Sequence, residues 1–446
     1  MPKILLIAYH FHPDLEVGAV RSVKFAKYLP DFGWEPFVLT VDSRHIPKVD
    51  QSPLGFECRI FRTGKWPTLD DGYRWFKRKV RTRKPSAANG KDDQMQSAKM
   101  DVASRADLPP FWKRFISSLS QTPDDAIGWL VPASINAVRI IRKYKIDVIY
   151  TSGPPHTCHL VGLIAKLLTG RKLAVDFRDP WTSGNRIGSH FNAVSLAAER
   201  FLERRLMSRA DMVVSSTEAI TGQLTNRHSL PARKIATIPN GYDEDDFKGR
   251  TRIAPISGKP LVFLYAGTLY MGRDPSPLFR AIAELISCGE LGKNEINLEI
   301  LGNVEYGQGR LRRIIDSLGI EDIVKIDAPL PRDRYFDQII NADALILMQS
   351  ESAGPQIPGK TYEYLATGND ILGLLPEGAT RDYLRNFKNV FLADPSDLNN
   401  IKECIIGIKN HARQSSGNFD INNELLQSIT RRQKAQDLAN LLNGII

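Results

Sequence analysis

The segment Gly354-Pro355-Gln356-Ile357-Pro358-Gly359-Lys360-Thr361-Tyr362-Glu363 carries the strongest chemical signal in this 446-residue chain. A Gly/Pro loop runs straight into residues of helical type. Free amides at a helix N-terminus attract anions, and an ammonium beside them adds charge. Glu363 follows Lys360 by three residues, one turn along the same face. A phosphate at the helix start and a carboxylate one turn deeper suit a nucleoside diphosphate, whose ribose hydroxyls need an acceptor. The plainer alternative is a Lys360–Glu363 surface pair behind an ordinary loop. A second cluster is Tyr265-Ala266-Gly267-Thr268-Leu269-Tyr270-Met271-Gly272-Arg273-Asp274. Gly267 ends an apolar run where backbone can approach a ligand closely. Thr268 offers a hydroxyl, and Arg273 can bind phosphate through two nitrogens. A turn with an exposed arginine is the alternative. Gly302 ends the next apolar run in the same way.

The first half has its own candidates. Gly18-Ala19-Val20-Arg21 opens a helix, but it is not G-x-G-x-x-G, so dinucleotide binding is poorly supported. Its glycine could let backbone meet a donor phosphate, or could serve loop geometry alone. In Asp176-Phe177-Arg178-Asp179-Pro180-Trp181-Thr182, Asp179 could take or orient the proton of an acceptor hydroxyl. Arg178 could hold Asp176 or Asp179, or meet phosphate; a buried Asp–Arg brace is the structural alternative. Arg21, His156 and Trp181 are candidates on the acceptor side, although His156 opens a helix and could simply cap it. Other patterns are discounted. Asp243-Glu244-Asp245-Asp246 contains D-x-D, but after Pro239-Asn240-Gly241 it reads as acidic helix capping. His10 and His12 share a loop without a third ligand, so no metal site is expected. Cys58, Cys158, Cys288 and Cys404 are far apart, with no C-x-x-C, and read as small apolar residues.

These loops need a scaffold. Apolar runs at Lys3–Ile7, Pro36–Val41, Val148–Thr151, Lys172–Asp176, Met212–Ser215 and Ile235–Ile238 alternate with helical patterns, the first at about Arg21–Leu29. A second series begins at Leu261–Ala266 and runs to Val390–Leu392. No short internal repeat is present. Two such series predict an α/β protein of two doubly wound, Rossmann-like domains facing a cleft, with ligands outside the carboxyl ends of the strands. The expected division is an N-terminal domain at 1–247, a linker at 248–260, a second domain at 261–415, and a helix at 416–446 packing back toward the N-terminal domain. Residues Ser43–Pro110 read as irregular, within a basic insertion at about 45–130.

Charge is uneven. The chain has 60 Lys and Arg against 50 Asp and Glu. Residues 1–250 hold 39 and 26, a net of +13, and the remainder 21 and 24, a net of −3. Much of the excess lies in the aromatic, basic stretch 73–84. It reads either as a solvated face or as contact with an anionic membrane surface; nucleic acid is not expected, since no recognition signature accompanies it. No signal peptide is expected at Met1–Ile7, and no run reaches the ~18 apolar residues that span a bilayer. The expected location is cytoplasmic, or peripheral on the inner face of the plasma membrane.

In order, Lys3–Arg21, Asp147–Pro155, Asp176–Thr182, Ala210–Ser216, Lys234–Phe247, Tyr265–Asp274, Leu298–Gly302, Asn341–Met348 and Lys360–Gly368 resemble the GT-B-fold retaining glycosyltransferases of family 4. The resemblance covers nearly all of the chain except about residues 45–110. It implies sugar transfer from a nucleoside-diphosphate sugar to a saccharide or lipid-linked acceptor, with retention by front-face attack and no cofactor or metal. Glu363 matches the family glutamate that binds donor ribose. Arg273 stands where many members carry a phosphate-binding lysine, and Thr268 where many carry arginine. Pro355 stands in place of the first glutamate of E-x7-E, so Gln356, Gly359 and Lys360 are expected to substitute for it. Asp179 occupies the loop in which many members have a histidine. Gly18, Gly267 and Gly302 complete the expected donor site, and Asp179, Arg178, Arg273 and Lys360 the expected catalytic set. The expected role is in cell-surface polysaccharide or glycolipid synthesis. The alternatives are a catalytically silent nucleotide-binding or scaffold subunit and a sugar-nucleotide epimerase.

Overall fold

The structure, a computed structural model, describes residues 1–50, 52–68, 122–182, 193–252, 258–270, 272–304, 308–414 and 423–446. The stretch 73–84 and Phe111–Ile116 lie outside the described residues. The chain divides into two compact units, Met1–Val213 with Leu442–Ile446, and Val214–Leu441.

A seven-stranded sheet contains β1 (Lys3–Ala8), β2 (Glu35–Val41), β3 (Arg59–Thr63), β4 (Val148–Gly153), β5 (Lys172–Phe177), β6 (Met212–Ser215) and β7 (Ile235–Thr237). Its order is β3-β2-β1-β4-β5-β6-β7. Strand β1 pairs in parallel with β2 and β4. Every residue of β4 is buried, and β1 is buried after Lys3. Such unbroken apolar runs suit parallel strands covered on both faces. Helices α1 (Val17–Tyr28), α2 (Leu130–Tyr144), α3 (Thr157–Thr169), α4 (Ala193–Arg209) and α5 (Glu218–His228) connect these strands.

The second sheet holds β8 (Leu261–Ala266), β9 (Ile296–Leu301), β10 (Val324–Asp327), β11 (Ala344–Met348), β12 (Asp370–Leu374) and β13 (Val390–Ala393), in the order β10-β9-β8-β11-β12-β13. Its helices are α6 (Ser276–Ser287), α7 (Gln308–Ser317), α8 (Arg332–Asn341), α9 (Gly359–Thr367), α10 (Ala379–Leu384), α11 (Leu398–Gln414), α12 (Asn423–Ser428) and α13 (Arg431–Asn443). Strand β8 shows how both faces are used. Phe263 and Tyr265 join a core with Phe279 and Ile282 of α6 and Ile405 of α11. Leu264 and Ala266 join the other core, with Phe336 and Ile339 of α8 and Tyr364 and Leu365 of α9.

Three expectations need correction. The stretch expected to be irregular contains β3, an edge strand whose Arg-Ile-Phe-Arg-Thr sequence hides the apolar alternation. The Arg59 guanidinium lies 5.3 Å over the Phe37 ring, so it covers apolar surface as well as facing water. Helix α11 was not expected, because Gly407 interrupts the pattern. A Cβ there would come within 2.9 Å of Phe391 Cε1, so the glycine allows close packing. The terminal segment is two helices rather than one. At the break, Tyr242 donates its amide to Ile429 O and accepts from Arg431 N, at 3.2 and 2.7 Å.

In the first unit α1 is tied to β5 by a buried ion pair. Arg21 Nε and Nη2 donate to Asp176 Oδ2 and Oδ1 at 2.8 and 2.9 Å, and Ser152 Oγ adds a hydrogen bond to Oδ2 at 3.1 Å. Burial works to raise the Asp176 carboxyl, but the Arg21 charge and hydrogen bonds overcome it and the net shift is downward. Breaking such a pair leaves one buried charge uncompensated, at about 3–5 kcal/mol. Asp176→Asn is therefore expected to lower the unfolding free energy of the first unit by that amount in urea titrations. Its contribution in the wild type is present above the ordinary carboxylate pKa and is lost as pH falls through the lower native value. Arg21→Met combined with Asp176→Leu is expected to cost less than the two single changes summed.

Candidate active site

In the second unit, the start of α9 and the end of β8 meet at Lys360. Its ammonium lies 4.4 Å over the Tyr265 ring and donates to Ala266 O at 3.4 Å. The Tyr364 hydroxyl also donates to Ala266 O, at 3.3 Å. The next residue has to be glycine: Gly267 has φ 151°, and a Cβ would come within 3.0 Å of Lys360 Nζ. Gly302, at φ 152°, packs on Gly267 so closely that a Cβ would lie 2.0 Å from Gly267 O. Arg273 follows on a turn in which its amide bonds Tyr270 O at 2.8 Å and its guanidinium lies 4.4 Å over the Tyr270 ring. The Thr268 carbonyl accepts the Tyr265 hydroxyl at 3.0 Å.

Electrostatically, Lys360 is strained toward neutrality. Burial, and then repulsion by Arg273, push its amine down to about 7, with Glu363 opposing. An arriving anion would reverse that shift.

The loop ahead of α9 is strapped from two sides. Gln349 Nε2 donates to Ala353 O and Gln356 O at 3.2 and 3.1 Å, Thr380 Oγ1 donates to Gln356 O at 2.9 Å, and Ala379 N donates to Gly354 O at 2.8 Å. Gln356 thus contributes its carbonyl to the loop's own structure. Gly359 is the first residue of α9, behind Pro358, and no side chain caps the helix. Glu363 sits one turn along, half-buried, and accepts the Tyr335 hydroxyl at Oε2, 2.8 Å away.

In the first unit several of the expected site residues make structural contacts. Helix α1 begins at Val17, so Gly18 lies in its first turn rather than in a loop. The Arg178 guanidinium donates to Gly18 O and Pro154 O, and its Nε to Gly153 O at 3.4 Å. A Cβ on Gly18 would fall 2.5 Å from Arg178 Nη1, so the close approach that this glycine permits is to Arg178. Arg178 therefore ties three backbone carbonyls together, and Asp176 belongs to Arg21. Arg21 is 3% exposed and committed to that pair, which leaves it no surface for an acceptor. His156 and Trp181, 0% and 1% exposed, stack with ring centroids 4.9 Å apart at 5°. They form a support rather than a platform for a saccharide. Beside them His159 bonds Thr151 Oγ1 at 2.8 Å, and burial pushes its imidazole down to about 3, which keeps it neutral. Asp179 stays half-buried beside Arg178.

Asp243 accepts from Asp245 N at 3.1 Å, the capping role expected of that acidic run. Cys288 is exposed, unlike the buried Cys158 and Cys404. Among the described residues, no group of three His, Cys, Asp or Glu side chains could hold a metal ion. Sequence reasoning missed Tyr335, Tyr364, Gln349 and Thr380. Tyr364 was legible as the neighbour of Glu363 on the buried side of α9, and Gln349 lies only seven residues ahead of Gln356; Tyr335 and Thr380 come from elements 28 and 24 residues away and left no local signal.

A family model for a glycosyl transferase 4-like domain matches residues 18–241, just over half of the chain. The D-inositol 3-phosphate glycosyltransferase of Nocardiopsis dassonvillei is 26% identical over 216 residues, 44% of this chain and 50% of that protein. The chain thus spans about half the length of this curated relative. Among solved structures, the lipopolysaccharide outer core galactosyltransferase WaaB aligns over 100% of both chains with a TM-score of 0.62 and 14% identity. The Anabaena protein HepE, solved in complex with UDP-glucose, aligns over 100% of this chain and 98% of its own with a TM-score of 0.54 and 15% identity. At such identities these structures speak to the fold, two doubly wound α/β domains of the GT-B type. With more than half of its sequence matched by the family model, the chain belongs to the glycosyl transferase 4-like family.

Proposed function

We propose that the protein transfers a sugar from a nucleoside-diphosphate sugar to a saccharide or lipid-linked acceptor, and that the second unit binds the donor. The observation that carries this reading is the arrangement of Lys360, Arg273 and Glu363 around the Gly267 strand end. Two cations and a helix N-terminus suit a diphosphate, and the carboxylate one turn deeper suits a ribose. The complex of the structurally similar HepE with UDP-glucose supports the donor class.

In the proposed reaction the bond from the anomeric carbon to the diphosphate oxygen breaks as the acceptor oxygen bonds to that carbon. Lys360, Arg273 and loop amides stabilise the charge that develops on the leaving group, which is usually the largest catalytic contribution. The acceptor proton passes to a leaving phosphate oxygen if attack is from the front face, with retention, or to Asp179. The net +13 of residues 1–250 suits an anionic, lipid-linked acceptor. Attachment to an anionic membrane through 73–84, and a place in cell-surface polysaccharide or glycolipid synthesis, extend the same reading. Among the described residues, no helix is long and apolar enough to cross a membrane.

Calorimetric titration with UDP, GDP and ADP tests the reading. One of the three is expected to bind, and Glu363→Ala is expected to weaken it by about 1–3 kcal/mol; binding by none overturns the proposal. The proton on Lys360 gives a second test. With an amine pKa of about 7 in the free protein, the site must take up a proton to bind diphosphate above that pH. Affinity is expected to fall as pH rises from about 7 toward 9, by up to about tenfold per unit. Lys360→Arg, whose guanidinium never deprotonates in this range, is expected to flatten the profile.

A further inference from the structure

The Glu363 carboxylate is held by a group from outside its own helix. Tyr335 on α8 donates its hydroxyl to Glu363 Oε2 at 2.8 Å. The ring is fixed sideways: it meets Phe336 edge-on at 5.1 Å and 81°, and Phe336 in turn meets Phe247 at 5.3 Å and 71°. Burial, and then the Glu363 charge, raise the phenol well above its ordinary range, so this donor keeps its proton at any working pH. Arg332, one turn earlier on α8, brings positive charge toward Glu363 while donating to Asp246 Oδ2 at 2.6 Å. A glutamate side chain otherwise has three torsions to search, and a pre-set acceptor binds its donor with less ordering to do.

We propose that Tyr335 is a positioning residue for nucleotide recognition: it pins one oxygen of Glu363 so that the other is presented to a ribose hydroxyl, and selection of ribo- over deoxyribonucleotides depends on it. This rests on the donor reading above. Sites built to bond a hydroxyl reject the analogue that lacks it, because a buried polar group is then left unpaired. That penalty needs a carboxylate that cannot swing away.

The test is calorimetric, on the full chain, with UDP, GDP and ADP beside their 2′-deoxy and 3′-deoxy counterparts and inorganic pyrophosphate. For the base that binds, the wild type is expected to favour the ribonucleotide over at least one deoxy form by roughly tenfold or more. Tyr335→Phe keeps the ring and removes only the hydroxyl. It is expected to bring that ratio to within about threefold of one while the pyrophosphate affinity stays unchanged. Glu363→Ala sets the ratio with no reader present. A Tyr335→Phe ratio equal to that of the wild type, with Glu363→Ala abolishing it, overturns the proposal and leaves the donor reading standing. Equal losses for nucleotide and pyrophosphate assign Tyr335 a merely structural role and overturn it too. Failure of the wild type to bind any nucleotide removes both readings together.

Discussion

An ammonium that is half out of water at the end of a central strand is the constraint from which the second unit's site follows. Lys360 rests on a tyrosine ring and a carbonyl, with an arginine near enough to repel it. The contact requires that the residue after β8 have no side chain, that the residue after the neighbouring β9 have none either, and that α9 begin close by. Gly267, Gly302 and the strapped loop before Gly359 meet those three conditions. In the proposed reaction these groups are held by the fold itself, and electrostatic groups fixed in advance are the kind that lower a barrier without reorganising during reaction.

The first unit uses its arginines differently. Arg21 neutralises a buried aspartate, and Arg178 gathers three carbonyls, from the first turn of α1 and from the end of β4 with the residue after it. Both choices spend positive charge on architecture. Asp179, half-buried, interacts electrostatically with Arg178 and is adjacent in sequence to that clamp.

Much of the scaffold was legible because parallel strands buried on both faces read as continuous apolar runs, as in Val148–Gly153 and Ala344–Met348. The Lys360–Glu363 spacing was legible because a helix converts three residues into one turn. Less local features were not. Gly18 looks like a phosphate-binding glycine until Arg178, 160 residues later, is seen beside it. Trp181 and His156 look like acceptor contacts because aromatic residues in strand-end loops often are, yet they bury each other. The Tyr335 hydroxyl reaches Glu363 across 28 residues, and β3 and Gly407 obey packing partners rather than periodicity.

The turn at Asn240-Gly241-Tyr242 bonds to both sides of the break between α12 and α13, and Gly241 lacks a Cβ because one would lie 2.2 Å from Ile429 O. Asn240 and Arg431, which bond there at 3.2 Å, are 191 positions apart. On a ribosome adding ~5–20 residues per second, the turn would wait roughly 10–40 s for its mate to be synthesised. Throughout that interval Tyr242 would be without the cover of Leu426 and Ile429, its companions in one face of the second core. The six strands can thus be translated well before that core is sealed, and the nascent chain carries an apolar seam whose closing piece is made about 190 residues after the turn it covers.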